Sequence, residues 1–198
     1  NQFFHVPSSF MGTGAFRDLY LYYNRFQQTG QCVAAEFFRK KEILMNIYVI
    51  RHGETDWNAG RRIQGRSDIP LNEKGRQLAK VTAEALKDIV FGAAYSSPLK
   101  RAMETARIIL RDRDISIIED DRIQEMSFGV FEGEVMDGEN PRLKGTGFMH
   151  FFSDPGHYIP PEGGESFAQV CQRTTEFLKE LASKPVLQDQ NVLVSSHG

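Results

Sequence analysis

Four short apolar runs, each broken off by polar residues, constrain this chain most. They are Ile47-Tyr48-Val49-Ile50, Ala93 to Ser96, Ile115 to Ile118, and Val192-Leu193-Val194. Runs this short suit strands buried within a parallel sheet. Segments of helical periodicity lie between them. Asn72 is an N-cap for a helix over 73–89, with Leu78, Thr82, Ala85, Leu86 and Ile89 on one face. Ser97-Pro98 reads as an N-cap with proline at the first helical position, ahead of Leu99, Ala102, Met103, Ala106 and Leu110 at core spacing. Ser166 and Gln169 form a capping box before a stripe of Phe167, Val170, Cys171, Thr174, Leu178 and Leu181. Residues 126–164, rich in Gly and Pro, read as a long excursion with short helices. Strands alternating with helices predict an α/β fold with three layers, α/β/α, around a largely parallel sheet.

In such sheets ligands bind beyond the carboxyl ends of the strands. The first run leads into Arg51-His52-Gly53-Glu54-Thr55, the second into Ser97-Pro98-Leu99-Lys100-Arg101, and the last into His197-Gly198. Glu125 lies in a short loop after the third. Taken singly, each has a plain structural use: a histidine at a strand end, Arg51 in a surface ion pair, Glu125 in a solvated loop, Asn58 in a turn. Together they place two histidines, two arginines and a carboxylate at one edge of the sheet. That is a cationic cluster, the inverse of a metal site, and it suits a phosphoryl group. Arg101 falls in the first turn of its helix, where the dipole disfavours a cation unless an anion is near.

Composition removes other classes. The chain has 198 residues, 40% hydrophobic and 25% charged, with a net charge of -2. That is ordinary globular composition and gives no global reason to bind nucleic acid or acidic membrane. No apolar run approaches a membrane span. Two cysteines, Cys32 and Cys171, make neither a disulfide framework nor a metal cluster, which predicts a cytoplasmic setting. Arg61, Arg62 and Arg66 either steer an anion or are solvated. Trp57 reads as packing near the loop. His150 and His157 either line a pocket mouth or sit at the surface.

Five stretches, in order, resemble the histidine phosphatase superfamily, the clan of cofactor-dependent phosphoglycerate mutases and related phosphatases. They are Arg51 to Thr55 with Trp57-Asn58; Gln64-Gly65 with Asp68 and Pro70-Leu71; Ser96 to Arg101 with Thr105-Ala106; Glu125 with Phe128-Gly129 and Glu132-Gly133; and Gly163 to Ser166 with Ser196-His197-Gly198. The resemblance implies a phosphoglycerate mutase-like fold and assigns roles. His52 is the nucleophile, its tautomer fixed by a backbone carbonyl. Arg51, Arg101 and His197 clamp the phosphoryl oxygens, and Glu125 is general acid and base. Thr55, Asn58, Gln64, Gly65 and Gly198 complete the phosphate and substrate site. Neither a metal nor another cofactor is implied. The implied partner is a small phosphorylated metabolite, and a homodimer is open.

The family's mutases carry a Gly-Trp pair where this chain has Gln64-Gly65, and Asn-Glu-Arg where it has Gln124-Glu125-Met126. Both departures resemble the phosphatase branch. The expectation is a metal-independent phosphomonoester hydrolase, with a mutase or a catalytically silent binding module as alternatives. The histidine phosphatase domain is expected over 45–198, without the tail elements that follow the second His-Gly in the family. Residues 1–44 are rich in aromatics, lack a signal-peptide pattern, and suggest a helix at 15–26 and a strand at 32–38. They are expected to supply the tail elements by circular permutation; a leader or an unrelated extension are the other readings.

Overall fold

In the computed structural model, which describes residues 45–136 and 139–198, the apolar runs form one parallel sheet. Its strands are β1 (Asn46–Arg51), β2 (Phe91–Ser96), β3 (Ile117–Glu119) and β4 (Asn191–Ser196), in the order β1-β4-β2-β3. The readings made for residues 1–44, permutation included, lie outside the described residues. β4 runs between β1 and β2, with Tyr48 opposite Leu193 and Ala94 opposite the same residue on the other side. Val192 and Leu193 are accordingly fully buried.

Parallel neighbours need crossovers, and helices supply them. They are α1 (Asp56–Ala59), α2 (Glu73–Ala85), α3 (Lys100–Leu110), α4 (His150–Ser153) and α5 (Phe167–Ser183). Side chains alternate across β4. Leu193 joins Tyr48, Ile50 and Ala94 against Ala83 of α2 and Ile109 of α3. Val192 and Val194 join Tyr95 against Phe177 and Leu181 of α5. The sheet is therefore covered on both faces, as expected of three layers. Each fully buried aliphatic side chain here contributes about 1.5–3 kcal/mol.

Three expectations need correction. The second helix ends at Ala85, and its buried face is Gly75, Ala79, Thr82 and Ala83, while Leu78 and Ala85 are exposed. Small residues decide the rotation, because the helix start rests on the backbone after β1. A Cβ at Gly75 would fall 2.1 Å from Glu54 O. The third helix begins at Lys100 rather than at Pro98, and Ser97 does not cap it. Ser97 N–H is still bound to Ser195 O of β4 at 3.0 Å, so the sheet holds that residue extended. The carboxylate of Asp68 takes over, accepting from Lys100 N–H at 2.7 Å. Along α5 the capping box forms, but only the C-terminal half packs on the sheet. Phe167 instead stacks with Phe151 of the excursion, whose own small core is Ile63, Leu143 and Phe148.

Candidate active site

β1 delivers His52 to the end of the sheet, and His52 N–H extends the ladder to Ser196 O at 3.1 Å. The imidazole is buried, 6% exposed. Its Nδ1 lies 2.7 Å from Gly53 O. A carbonyl can only accept, so Nδ1 carries the hydrogen and Nε2 carries the lone pair. Burial is the main force lowering its pKa, to about 4, with Arg101 and Arg51 adding to it against the Gly53 carbonyl. His52 is therefore a neutral imidazole with its lone pair on Nε2 at neutral pH.

That nitrogen faces Arg101, whose Nε–H points at Nε2 from 3.3 Å. The guanidinium is fully buried in the first turn of α3. Its outer nitrogens donate to Ser67 O at 2.8 Å and Gly65 O at 2.7 Å. Gly65 turns its carbonyl there at φ +54, and a Cβ on it would strike Glu132 Oε1 at 2.1 Å. The cation is held in place from behind, so it can turn an edge towards an anion at His52. Burial lowers its pKa, and the charges of Glu125, Asp68 and Glu132 oppose that. Arginine nevertheless stays protonated.

His197 leaves β4 with its ring centroid 5.1 Å from that of His52. Its Nε2 meets Ser97 Oγ at 2.8 Å, and its Nδ1 is buried without a partner. A buried polar atom without a partner is costly, and a phosphoryl oxygen would satisfy it. Burial, then Arg101 and His52, depress its pKa even further than that of His52. Glu125 sits close enough to Arg101 and Arg51 to feel both charges. Burial nonetheless dominates and raises its pKa, while Met126 N–H, 2.9 Å from Oε1, works the other way. A carboxyl with a raised pKa is suited to hold a proton for a leaving group.

The structure thus brings Arg51, His52, Arg101, Glu125 and His197 to one edge of the sheet. Arg51 is exposed, with Gly198 beside its side chain. The smaller residues divide. Thr55 is fully buried behind the cluster and caps α1, accepting from Asn58 N–H at 3.1 Å. Its hydroxyl lies 2.9 Å from Gln64 Oε1 and 3.0 Å from Asn58 Oδ1, so Thr55 links two of the other expected site residues. Arg62 donates to Gly133 O, Arg66 pairs with Glu165, and Arg61 is exposed at φ +51. His150 and His157 are exposed. Among the described residues no group of three or more His, Cys, Asp or Glu could hold a metal ion. No described helix is long and apolar enough to cross a membrane.

Two contributors went unrecognised as such in the sequence. Ser97 orients His197 instead of capping a helix. Glu132 gathers Arg66 N–H at 2.9 Å, Ser67 N–H at 2.8 Å and Phe128 N–H at 3.1 Å, and so shapes the loop that holds Arg101. The Glu132-Gly133 pair was a visible motif, but a carboxylate collecting amides from distant loops has no local signature.

Comparison with known proteins agrees with this geometry. The family model described as "Histidine phosphatase superfamily (branch 1)" matches residues 47–198. Phosphoglycerate mutase-like protein 4 of Arabidopsis thaliana is 37% identical over 77% of this chain and 66% of its own length. Phosphoserine phosphatase 1 of Hydrogenobacter thermophilus is 34% identical over 78% of this chain and 71% of its own length. The chain thus spans less than two thirds of the first of these relatives and about 71% of the second. Among solved structures, YhfR of Bacillus stearothermophilus superposes with a TM-score of 0.72 at 38% identity, over 78% of this chain and 74% of its own. A mycobacterial glucosyl-3-phosphoglycerate phosphatase, solved with VO3, gives 0.67 at 32% identity, over 76% of this chain and 74% of its own. The sheet, the edge cluster and these matches together show that the chain belongs to the histidine phosphatase superfamily, branch 1.

Proposed function

We propose that this chain is a phosphomonoester hydrolase that works through a phosphohistidine on His52, without a metal ion. The observation that carries the reading is the protonation pattern: Nδ1–H locked on Gly53 O leaves the Nε2 lone pair opposite Arg101. Nε2 attacks phosphorus, and the bond from phosphorus to the ester oxygen breaks. The Glu125 carboxyl gives its proton to that oxygen, and an alcohol leaves. The Glu125 carboxylate then takes a proton from water as the water oxygen bonds to phosphorus and the P–N bond breaks. Inorganic phosphate departs, and His52 is neutral again. Arg101 and Arg51 balance charge on the transferring group, and the unpartnered Nδ1 of the neutral His197 donates a hydrogen bond to it, where fixed donors lower the barrier most. The substrate class is a small phosphorylated metabolite.

Relatives named for phosphatases and for mutases both occur, and the two chemistries share the phosphohistidine. The hydrolase reading is supported by Gln64-Gly65 and by the sequence around Glu125. The test is a panel of phosphomonoesters, both monophosphoglycerates included, assayed with a chelator present. Phosphate release by the wild type and none by His52→Ala is the expected result. Interconversion of the phosphoglycerates, dependent on bisphosphoglycerate, would replace the hydrolase by a mutase. Undiminished hydrolysis by His52→Ala would sink the phosphohistidine.

A further inference from the structure

Glu125 needs a fixed position to deliver a proton, yet its own segment has little to hold it. The chain leaves β3, makes one tight turn at Asp121–Ile123, and enters the excursion. The turn is anchored, with Ser196 Oγ donating to Ile123 O at 2.8 Å. Beyond it the backbone is gripped from outside. Arg173, on α5 and only 13% exposed, sends one nitrogen, Nη1, to Arg122 O at 2.6 Å and Gln124 O at 2.8 Å. Its Nη2 reaches Glu125 O at 3.2 Å.

The other edge of that guanidinium meets Glu165 as a fork, Nε to Oε1 at 3.0 Å and Nη2 to Oε2 at 3.1 Å. Glu165 then does for the downstream flank what Arg173 does upstream: its Oε2 accepts from Ser127 N–H at 3.0 Å. One ion pair therefore pins the backbone on both sides of Glu125. Glu165 Oε1 also takes Arg66 Nη2 at 2.8 Å, and Arg66 N–H is held by Glu132 in the loop whose Gly65 and Ser67 carbonyls hold Arg101. The acid's segment and the arginine's loop are tied through a single carboxylate. A guanidinium can span three carbonyls and a carboxylate because its donors are fixed in one plane; an ammonium cannot.

We infer that Arg173 and Glu165 are positioning residues for Glu125, setting its carboxyl against the ester oxygen of a substrate bound at His52. The inference rests on the acid role assigned to Glu125 above. A purely structural pair would lower all activities equally as folded protein is lost. A positioning pair acts where the acid acts, on leaving groups that need a proton.

The experiment compares kcat/KM, which covers the steps up to phosphohistidine formation, for two substrates. p-Nitrophenyl phosphate releases a stable anion, whereas an n-alkyl monophosphate releases an alcohol that needs the acid. Arg173→Lys is expected to lower kcat/KM for the alkyl ester about 10–100-fold and for the nitrophenyl ester less than about 3-fold, a part of the roughly 10²–10⁴-fold that a general acid supplies. Glu165→Gln should do the same to a lesser degree, and serves if Arg173→Lys does not fold. In a Glu125→Gln background Arg173→Lys should have no further effect on the alkyl ester. Equal losses on both esters, or losses that multiply in the double variant, would overturn the inference. If Glu125→Gln alone shows no preference between leaving groups, the acid assignment fails first and takes this inference with it.

Discussion

Acid should unfold this protein partly through His52. Its folded pKa is about 4, against 6.5 for a free histidine, because burial and two arginines penalise the cation. Below pH 6.5 the unfolded chain takes up a proton that the folded chain refuses until about pH 4. Stability held by this residue is thus full above pH 6.5 and is lost as the pH falls towards 4. Between pH 7 and pH 5 the loss from His52 alone is about 2 kcal/mol. At an m-value of about 2 kcal/mol/M, that moves the urea midpoint by about 1 M. The assay is urea unfolding at both pH values for the wild type and His52→Gln, which cannot take up a proton there. His197 remains in the variant and keeps part of the slope, so the difference between the two proteins is the readout. Identical losses in both would refute the claim that the fold holds His52 neutral by burial.

Three further outcomes follow from the same geometry. Arg101→Lys keeps the charge but reaches only one of the Gly65 and Ser67 carbonyls; it should lose about 1–3 kcal/mol of stability and about 10²–10³-fold in kcat/KM, and wild-type values in calorimetry and kinetics would contradict the fork. Gly65→Ala forces a Cβ onto Glu132 at a φ of +54; it should cost at least about 1–2 kcal/mol, visible as a lowered Tm. The pH profile of kcat/KM should fall on the acid side as His52 protonates near 4 and on the alkaline side above the raised pKa of Glu125. In Glu125→Gln the alkaline limb should vanish while the acid limb stays, and an unchanged alkaline limb would free Glu125 of its assigned role.

The sheet was legible in the sequence because Ile47 to Ile50 and Val192 to Val194 are apolar runs too short for helices; the buried-strand reading holds for Val192 to Val194, whereas β1 lies at an edge of the described sheet with Val49 44% exposed. That His52, Arg101 and His197 come together could be anticipated because each follows a strand end of one parallel sheet. What escaped was governed by contacts distant in sequence. Local propensity rotated α2 towards Leu78, but the backbone after β1 accepts only the Gly75 side. Ser97-Pro98 reads as a helix start until Ser195 claims its amide. The grouping of the Thr55 hydroxyl with Asn58 and Gln64 has no local signature either. Arg173 sits among the apolar positions of α5 and shows no pattern that links it to Glu125.

The place of β4 in the sheet also governs how the protein comes together. Among the described residues it is the last of the four strands in sequence order, yet it is the strand that joins β1 to β2. Asn46 pairs with a residue 145 positions away. Among the described residues, β1 and β2 have no common neighbour until β4 inserts. Closing loops of that length makes folding slow and leaves unpaired strand edges prone to pair with other chains. A ribosome-bound chain stopped short of residue 191 can hold neither a closed sheet nor His197 beside His52. Chaperone demand during synthesis is therefore expected to peak just before β4 emerges.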